Sequence, residues 1–209
     1  MQARRIAREL ALLSMSQLSN RPEKLSAQEL EDLLLAAVRA LTNEVHDILE
    51  NAAAELKRGS DRLLNSELQA TGVQSSRTMV YDAIELTQSA VNRLGMAMEL
   101  PEFIQLTNRQ EVRAYALEIL SVIRDNRDRI DETIAASLVN WQLNRLPRID
   151  RDILRVAVAE MFYIGTPDRV AINEAVELAK RYSGDDGHKF VNGVLRRVSD
   201  RAKEVSHKG

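Results

Sequence analysis

The chain has no cysteine. Disulfides, thiolate metal sites, iron–sulfur clusters and cysteine nucleophiles are therefore all excluded. Glycine and proline are scarce, 8 and 4 residues in 209; together they make about 6% of the chain, half of the roughly 12% of average usage. No apolar run approaches the ~20 residues that cross a bilayer, and Met1–Leu10 is too rich in arginine for a secretory leader. The three histidines, His46, His188 and His207, lie too far apart for a local metal motif. Net charge is only −2, so contact with a polyanion must come from a local patch. The composition reads as a cytoplasmic protein without a metal or cofactor.

What is present favours helix. Stretches of Ala, Leu, Glu, Arg and Gln run between Pro22, Gly59, Gly72, Gly95, Pro101, Pro147, Gly165–Pro167 and Gly184–Gly187. Alternating β-branched strands are absent. The fold class is all-α.

The first helix is predicted over Ala3–Leu18. Ala3, Ile6, Leu10, Leu13 and Gln17 share one side, while Arg4, Arg5 and Arg8 lie opposite above Ala11, Leu12 and Met15. Taken alone, three arginines on a helix are more simply a solvated face. Ser26 and Glu29 then form an S-x-x-E capping box. Leu30, Leu34, Ala37, Leu41, Val45, Ile48, Ala52 and Leu56 follow at helical spacing up to Lys57, Arg58 and Gly59, which suit a helix end. A second run uses Val73, Val80, Ile84, Thr87, Val91 and Leu94 before Gly95. The two predict an antiparallel hairpin about 45 Å long at 1.5 Å per residue.

Beyond Pro101 the helical stripes shorten. One uses Val112, Tyr115, Ala116, Ile119, Leu120 and Ile123; the next uses Ile130, Ile134, Leu138 and Trp141 up to Pro147. Ile149, Ile153, Val156, Ala157, Met161 and Ile164 mark a third, and Val170–Tyr182 a fourth. Asp185 or Asp186 can cap a last helix whose core side is Val191, Val194, Leu195, Val198 and Ala202.

No nucleotide, metal or hydrolase motif occurs. Gly184-Asp-Asp-Gly-His188 places two carboxylates beside a histidine, but a capped turn explains it better than acid–base catalysis. Phe190, Arg197 and Arg201 form one line beside the last core stripe. An aromatic among arginines suits a stacked base with phosphate contacts, and equally a packed ring under arginine stems. Spacing leaves both readings open.

The segments Arg169-Val-Ala-Ile-Asn-Glu-Ala-Val-Glu-Leu-Ala-Lys180 and Asp185-Asp-Gly-His-Lys-Phe-Val-Asn-Gly-Val-Leu195 resemble the C-terminal signature of the NusB family of bacterial transcription antitermination factors. Ala3-Arg-Arg-Ile-Ala-Arg-Glu-Leu-Ala11 is similar to that family's first helix, and Ile149-Asp-Arg-Asp-Ile-Leu-Arg-Val-Ala-Val158 to the helix opening its C-terminal half. The resemblance implies two small helical bundles packed across each other, formed by residues 1–19 and 102–209, with 20–101 as an inserted hairpin. It implies no enzyme activity. It further implies binding of the boxA RNA of ribosomal RNA operons, together with a small-subunit ribosomal protein acting as NusE, within the RNA polymerase antitermination complex. The matching RNA positions are Arg4, Arg5, Arg8, Arg155, Asp186, Lys189 and Phe190, to which the wheel adds Arg197 and Arg201. Asp150 and Arg151 match the partner-facing helix. The chain departs from the family at Ser16 and Leu18, where aromatics are frequent, and at Asp150, where glutamate is. The competing function is a helical adaptor or rRNA-processing accessory domain acting through protein contacts.

Overall fold

The computed structural model describes residues 2–16 and 26–206; of residues 96, 99–103, 205 and 206 it describes only the helical backbone. Every element among them is helical, as the composition requires. Helix α1 spans Gln2–Met15, α2 Ala27–Leu68, α3 Val73–Thr107, α4 Gln110–Asp125 and α5 Arg127–Ser137. A 3-10 turn at Leu143–Arg145 precedes α6, Arg148–Ala159, which continues as a π turn over Glu160–Ile164. Helices α7, Asp168–Tyr182, and α8, Gly187–Ser206, complete the chain. The contacts divide it into two compact units: Met1–Ala37 with Thr107–Gly209, and Val38–Leu106.

In the first unit α1 packs on α4 and α6, and α7 packs on α6 and α8. The stripes read from spacing are buried: Val112, Tyr115, Ala116, Ile119, Leu120 and Ile123 on α4, Ile130 and Ile134 on α5, Val191, Val194, Leu195 and Val198 on α8. Truncating any of the larger ones to alanine should cost about 2–5 kcal/mol. The capping box forms as expected: Ser26 N donates to Glu29 Oε2 at 2.7 Å and Glu29 N to Ser26 Oγ at 3.2 Å. The Ser26 backbone N–H and, at 2.8 Å, the Ser26 hydroxyl both donate to the Glu29 carboxylate and hold it below its ordinary range. The π turn closes on Gly165, whose φ of 79° is left-handed, a conformation glycine adopts without strain. Pro167 then prevents the helix from continuing.

The sequence and the fold part company at named places. Helix α1 ends at Met15; the predicted last turn through Gln17 and Leu18 lies outside the described residues. Arg8, expected opposite the core, is buried, and so is its neighbour Glu9, because α1 is covered by two helices and has no single buried stripe. Trp141 was expected on a helix running to Pro147, yet α5 stops at Ser137. There Arg197 Nε donates to the Ser137 carbonyl at 2.7 Å, satisfying a helix-end acceptor from another element. Asn140 follows at φ 60° and turns the chain away.

The second unit is made of α2 from Val38 onward and of α3 up to Leu106; the whole helices, 42 and 35 residues for α2 and α3, have lengths of about 63 and 52 Å, longer than the sequence suggested. Gly59, Gly95 and Pro101, expected near helix ends, all lie inside helices. At Gly59 the reason is packing rather than turning: a Cβ there would stand 3.2 Å from the Ala83 carbonyl oxygen. The predicted apolar stripes are only partly covered. Leu56, Ile84 and Val91 are 41, 48 and 59% exposed, whereas the small residues Ala52, Ala83 and Ala90 are buried. Small side chains let the backbones close on each other, and this leaves the larger ones outside.

Candidate nucleic-acid interface

The N-terminal arginines separate into two kinds. Arg4 and Arg5 are exposed, with the Arg4 guanidinium 5.1 Å from the centre of the Tyr115 ring, within cation–π range. Arg8, expected on the same open face, is 3% exposed. Its Nε donates to Glu160 Oε2 at 2.7 Å and its Nη1 to Glu174 Oε2 at 3.3 Å. Burial works against this charge, and the bond and charge of Glu160 outweigh it, holding the guanidinium above its ordinary range. Tyr115 donates to the other oxygen of Glu160, and Thr166 approaches both. Both Glu160 oxygens are thus engaged by groups from distant parts of the chain.

Arg155, expected near the RNA surface, is likewise internal. It gives Nε and Nη2 to the two Asp131 oxygens at 2.7 Å and Nη1 to Asp152 at 2.8 Å. A guanidinium fork whose donors are filled by two carboxylates has little left for a phosphate. Asp150 is also buried and accepts the Ser183 hydroxyl, so its carboxylate stitches α6 to the end of α7 instead of facing outwards. Arg151 is half-buried, with its Nε enclosed and without a hydrogen-bond partner.

The start of α8 explains its glycine. A Cβ on Gly187 would stand 1.8 Å from Ser183 Oγ, so only glycine lets this turn close against α7. The Asp186 carbonyl accepts Lys189 N and Phe190 N, both at 3.1 Å, as a first helical acceptor should. Exposed Lys189 also reaches the Asp186 carboxylate at 2.8 Å. The bond and charge of Lys189 hold Asp186 below its ordinary range, and Asp186 raises Lys189 in turn. The Asp186 carboxylate is thus paired with a side chain of the same helix, while its backbone carbonyl is the acceptor that opens α8.

Phe190 is half-buried, and its partner is Trp141: the ring centres are 6.3 Å apart at 68°, edge to face. Trp141 is itself 57% exposed and lines a shallow pocket of about 430 Å³ with Asn140, Gln142 and Arg145. Arg197 caps Ser137, close before this loop in sequence, and Arg201 is exposed further along α8. Helix α1 is tied to the end of α7, where Tyr182 donates to Glu9 and Arg181 pairs with Glu9 at 2.9 Å.

Sequence reasoning missed Trp141, Asn140, Gln142 and Arg145, having placed Trp141 on a helix. The usable signal was an Asn beside the single Trp, shortly before a proline. Tyr115 was read as core alone, yet its ring also carries Arg4. Among the described residues no group of three His, Cys, Asp or Glu side chains is placed to hold a metal ion, and no helix is long and apolar enough to cross a membrane.

The NusB family model matches residues 74–200. The chain belongs to the NusB family. It is 61% identical over 202 residues to the transcription antitermination protein NusB of Picosynechococcus sp., covering 97% of this chain and 95% of that protein. It is 60% identical to the protein of the same name from Trichodesmium erythraeum, over 97% and 98% of the two chains. A solved structure of T. maritima NusB is 28% identical, covers 73% of this chain and 90% of its own, and superposes with a TM-score of 0.44. Transcription antitermination is therefore the function of this NusB-family chain. The relatives align through the long-helix segment as well, so that segment is not peculiar to this sequence.

Proposed function

We propose that the chain acts without catalysis in the cytoplasm. In this reading it binds the boxA RNA of ribosomal RNA operons jointly with the small-subunit ribosomal protein acting as NusE, and so helps RNA polymerase pass terminators. Residues 38–106 form an accessory to the RNA-binding unit. The observation that carries the reading is the exposed Trp141 ring against Phe190, with cations on the same loop and helix. Exposed aromatics offer faces to unstacked bases, and arginine and lysine contact phosphates.

Arg4, Arg5, Lys189, Arg201 and Phe190 are the direct contacts, with Trp141 added. Arg8, Arg155 and Arg197 act behind them: Arg8 fixes α1, Arg155 fixes α6 to α5, and Arg197 fixes the end of α5 from which the Trp141 loop departs. On the partner side Arg151 remains a candidate, and Asp150 supports its helix from within. The test is a gel shift with boxA RNA, alone and with the ribosomal protein, set against a scrambled RNA of equal length. Binding that ignores the RNA sequence in both mixtures would overturn the proposal.

A further inference from the structure

In the second unit, buried and exposed residues each repeat every seven positions. On α2 the buried small residues are Ala52, Gly59 and Ser66, and on α3 Ala83, Ala90 and Ala97. A repeat of seven keeps the same side of a helix facing a neighbouring helix. The register follows from two contacts: Glu55 accepts from Arg93 Nε at 3.0 Å, and Gly59 lies against Ala83, Leu86 and Thr87. The two helices therefore run antiparallel along a seam of small residues.

A second set has the same period and no cover. Leu49, Leu56 and Leu63 are 41, 41 and 49% exposed; Ile84, Val91 and Met98 are 48, 59 and 79% exposed. Each leucine stands three positions before a seam residue of α2, and each of the other three stands one position after a seam residue of α3. Antiparallel helices rotate in opposite senses, so both offsets turn to the same side. Glu55 and Arg93, each three positions after a seam residue, meet on the opposite side, as this geometry requires. The register sets Leu49 level with Met98, Leu56 with Val91, and Leu63 with Ile84. These are three apolar layers about 10.5 Å apart, seven residues at 1.5 Å each.

We propose that this strip is a self-association surface, on which the same strip of a second copy completes an antiparallel four-helix bundle. The period of seven on both helices calls for a partner that is itself helical. The three evenly spaced layers make the strip self-complementary. A two-fold axis in the contact plane, along or across the helices through the Leu56–Val91 layer, lays each layer on a layer and the middle one on its own copy. Such symmetry is what an isologous dimer needs. The six side chains carry no charge, so like charges do not meet across the axis. With Leu94 and Tyr81 beside them, also exposed, each side chain contributes area on the order of 100 Å², giving about the 800 Å² that a standard interface takes from each partner.

The test is sedimentation equilibrium of the full chain over a range of concentrations, without RNA. The expected result is a reversible dimer for the native chain and a monomer for the double variant Leu56→Glu with Val91→Glu. Asn51→Glu, on α2 but off the strip, should dimerise like the native chain. Circular dichroism should give the same helicity for all three; if the double variant loses helix, Leu56→Ser alone should still weaken the dimer while keeping the fold. A native chain that stays monomeric throughout, including one that captures only some other helical protein, overturns the proposal. So does a dimer that both strip variants leave unchanged. Neither result bears on the boxA reading, which the gel shift tests separately.

Discussion

Arg8 Nε lies 2.7 Å from Glu160 Oε2, two side chains 4 and 1% exposed that are joined across 152 residues of sequence. A buried pair of this kind fixes geometry more surely than it adds net stability, and breaking one side of it leaves a charge stranded. The same helix carries Arg4 and Arg5 in solvent. One short arginine run thus holds two separable roles.

Arg8→Ala is expected to lower folding stability by about 3–5 kcal/mol, because Glu160 would stay buried with half its partners gone. Arg5→Ala should leave the urea midpoint close to wild type and weaken RNA binding, flattening the log–log salt dependence by roughly 0.7 for one lost single-strand phosphate contact. Unfolding curves and a salt titration on both variants check this. An Arg8→Ala protein as stable as wild type would refute the structural role of the pair.

Trp141→Ala and Phe190→Ala should each cost RNA affinity about 1–3 kcal/mol if the pair presents a ring to a base. Trp141 is already more than half exposed, so its loss should barely change stability. Phe190→Leu keeps apolar volume without a ring face, and should bind RNA like the alanine variant while folding like wild type. Full affinity in Phe190→Leu with strong destabilisation in Phe190→Ala would make that ring a packing residue only.

Two phenols, buried Tyr115 and half-buried Tyr182, give the fold an alkaline limit. Burial, then the hydrogen bonds to Glu160 and Glu9, push Tyr115 and Tyr182 up. An unfolded tyrosine titrates near pH 10, so above that the unfolded chain loses protons that the native state retains. The contribution is complete below about pH 10 and fades as pH rises through the folded values. Urea midpoints should therefore fall across about pH 10–12, and less steeply in Tyr182→Phe. An equally steep fall in that variant would place the titrating group elsewhere.

Gly59→Leu should lower folding stability by about 1–3 kcal/mol, the cost of overpacking a filled contact, and the unfolding midpoint with it. The added side chain would press on the Ala83 carbonyl and the Thr87 side chain. Gly72→Ala, which meets nothing within 4 Å, is the matched control. Equal midpoints for the two variants would show that the helices do not need close approach at residue 59.

Much of the fold was legible because helical period and burial coincide where a helix has one covered side. Ile119, Leu120 and Ile123, or Val194, Leu195 and Val198, follow directly from spacing. The Ser26–Glu29 cap was legible for a local reason, since its bonds close within four residues. Where burial comes from two sides, or the partner lies far along the chain, spacing fails. Arg8 resembles any exposed arginine until Glu160 and Glu174 are folded against it, and Arg155 until Asp131 is. Gly59 reads as a helix end because glycine has two uses, and only the neighbouring Ala83 carbonyl decides between them. Trp141 was misplaced for a related reason: the acceptor at the end of its helix is satisfied by Arg197, 60 residues away.

Trp141 is the single tryptophan of the chain, and it stands on the candidate RNA surface with its ring largely in water. Its indole emission should be red-shifted in the native protein and change little on denaturation, since unfolding moves it from one wet setting to another. A base laid against it would quench that emission directly. The protein thus carries its own optical probe, nearly blind to global unfolding and sensitive to what docks beside Phe190.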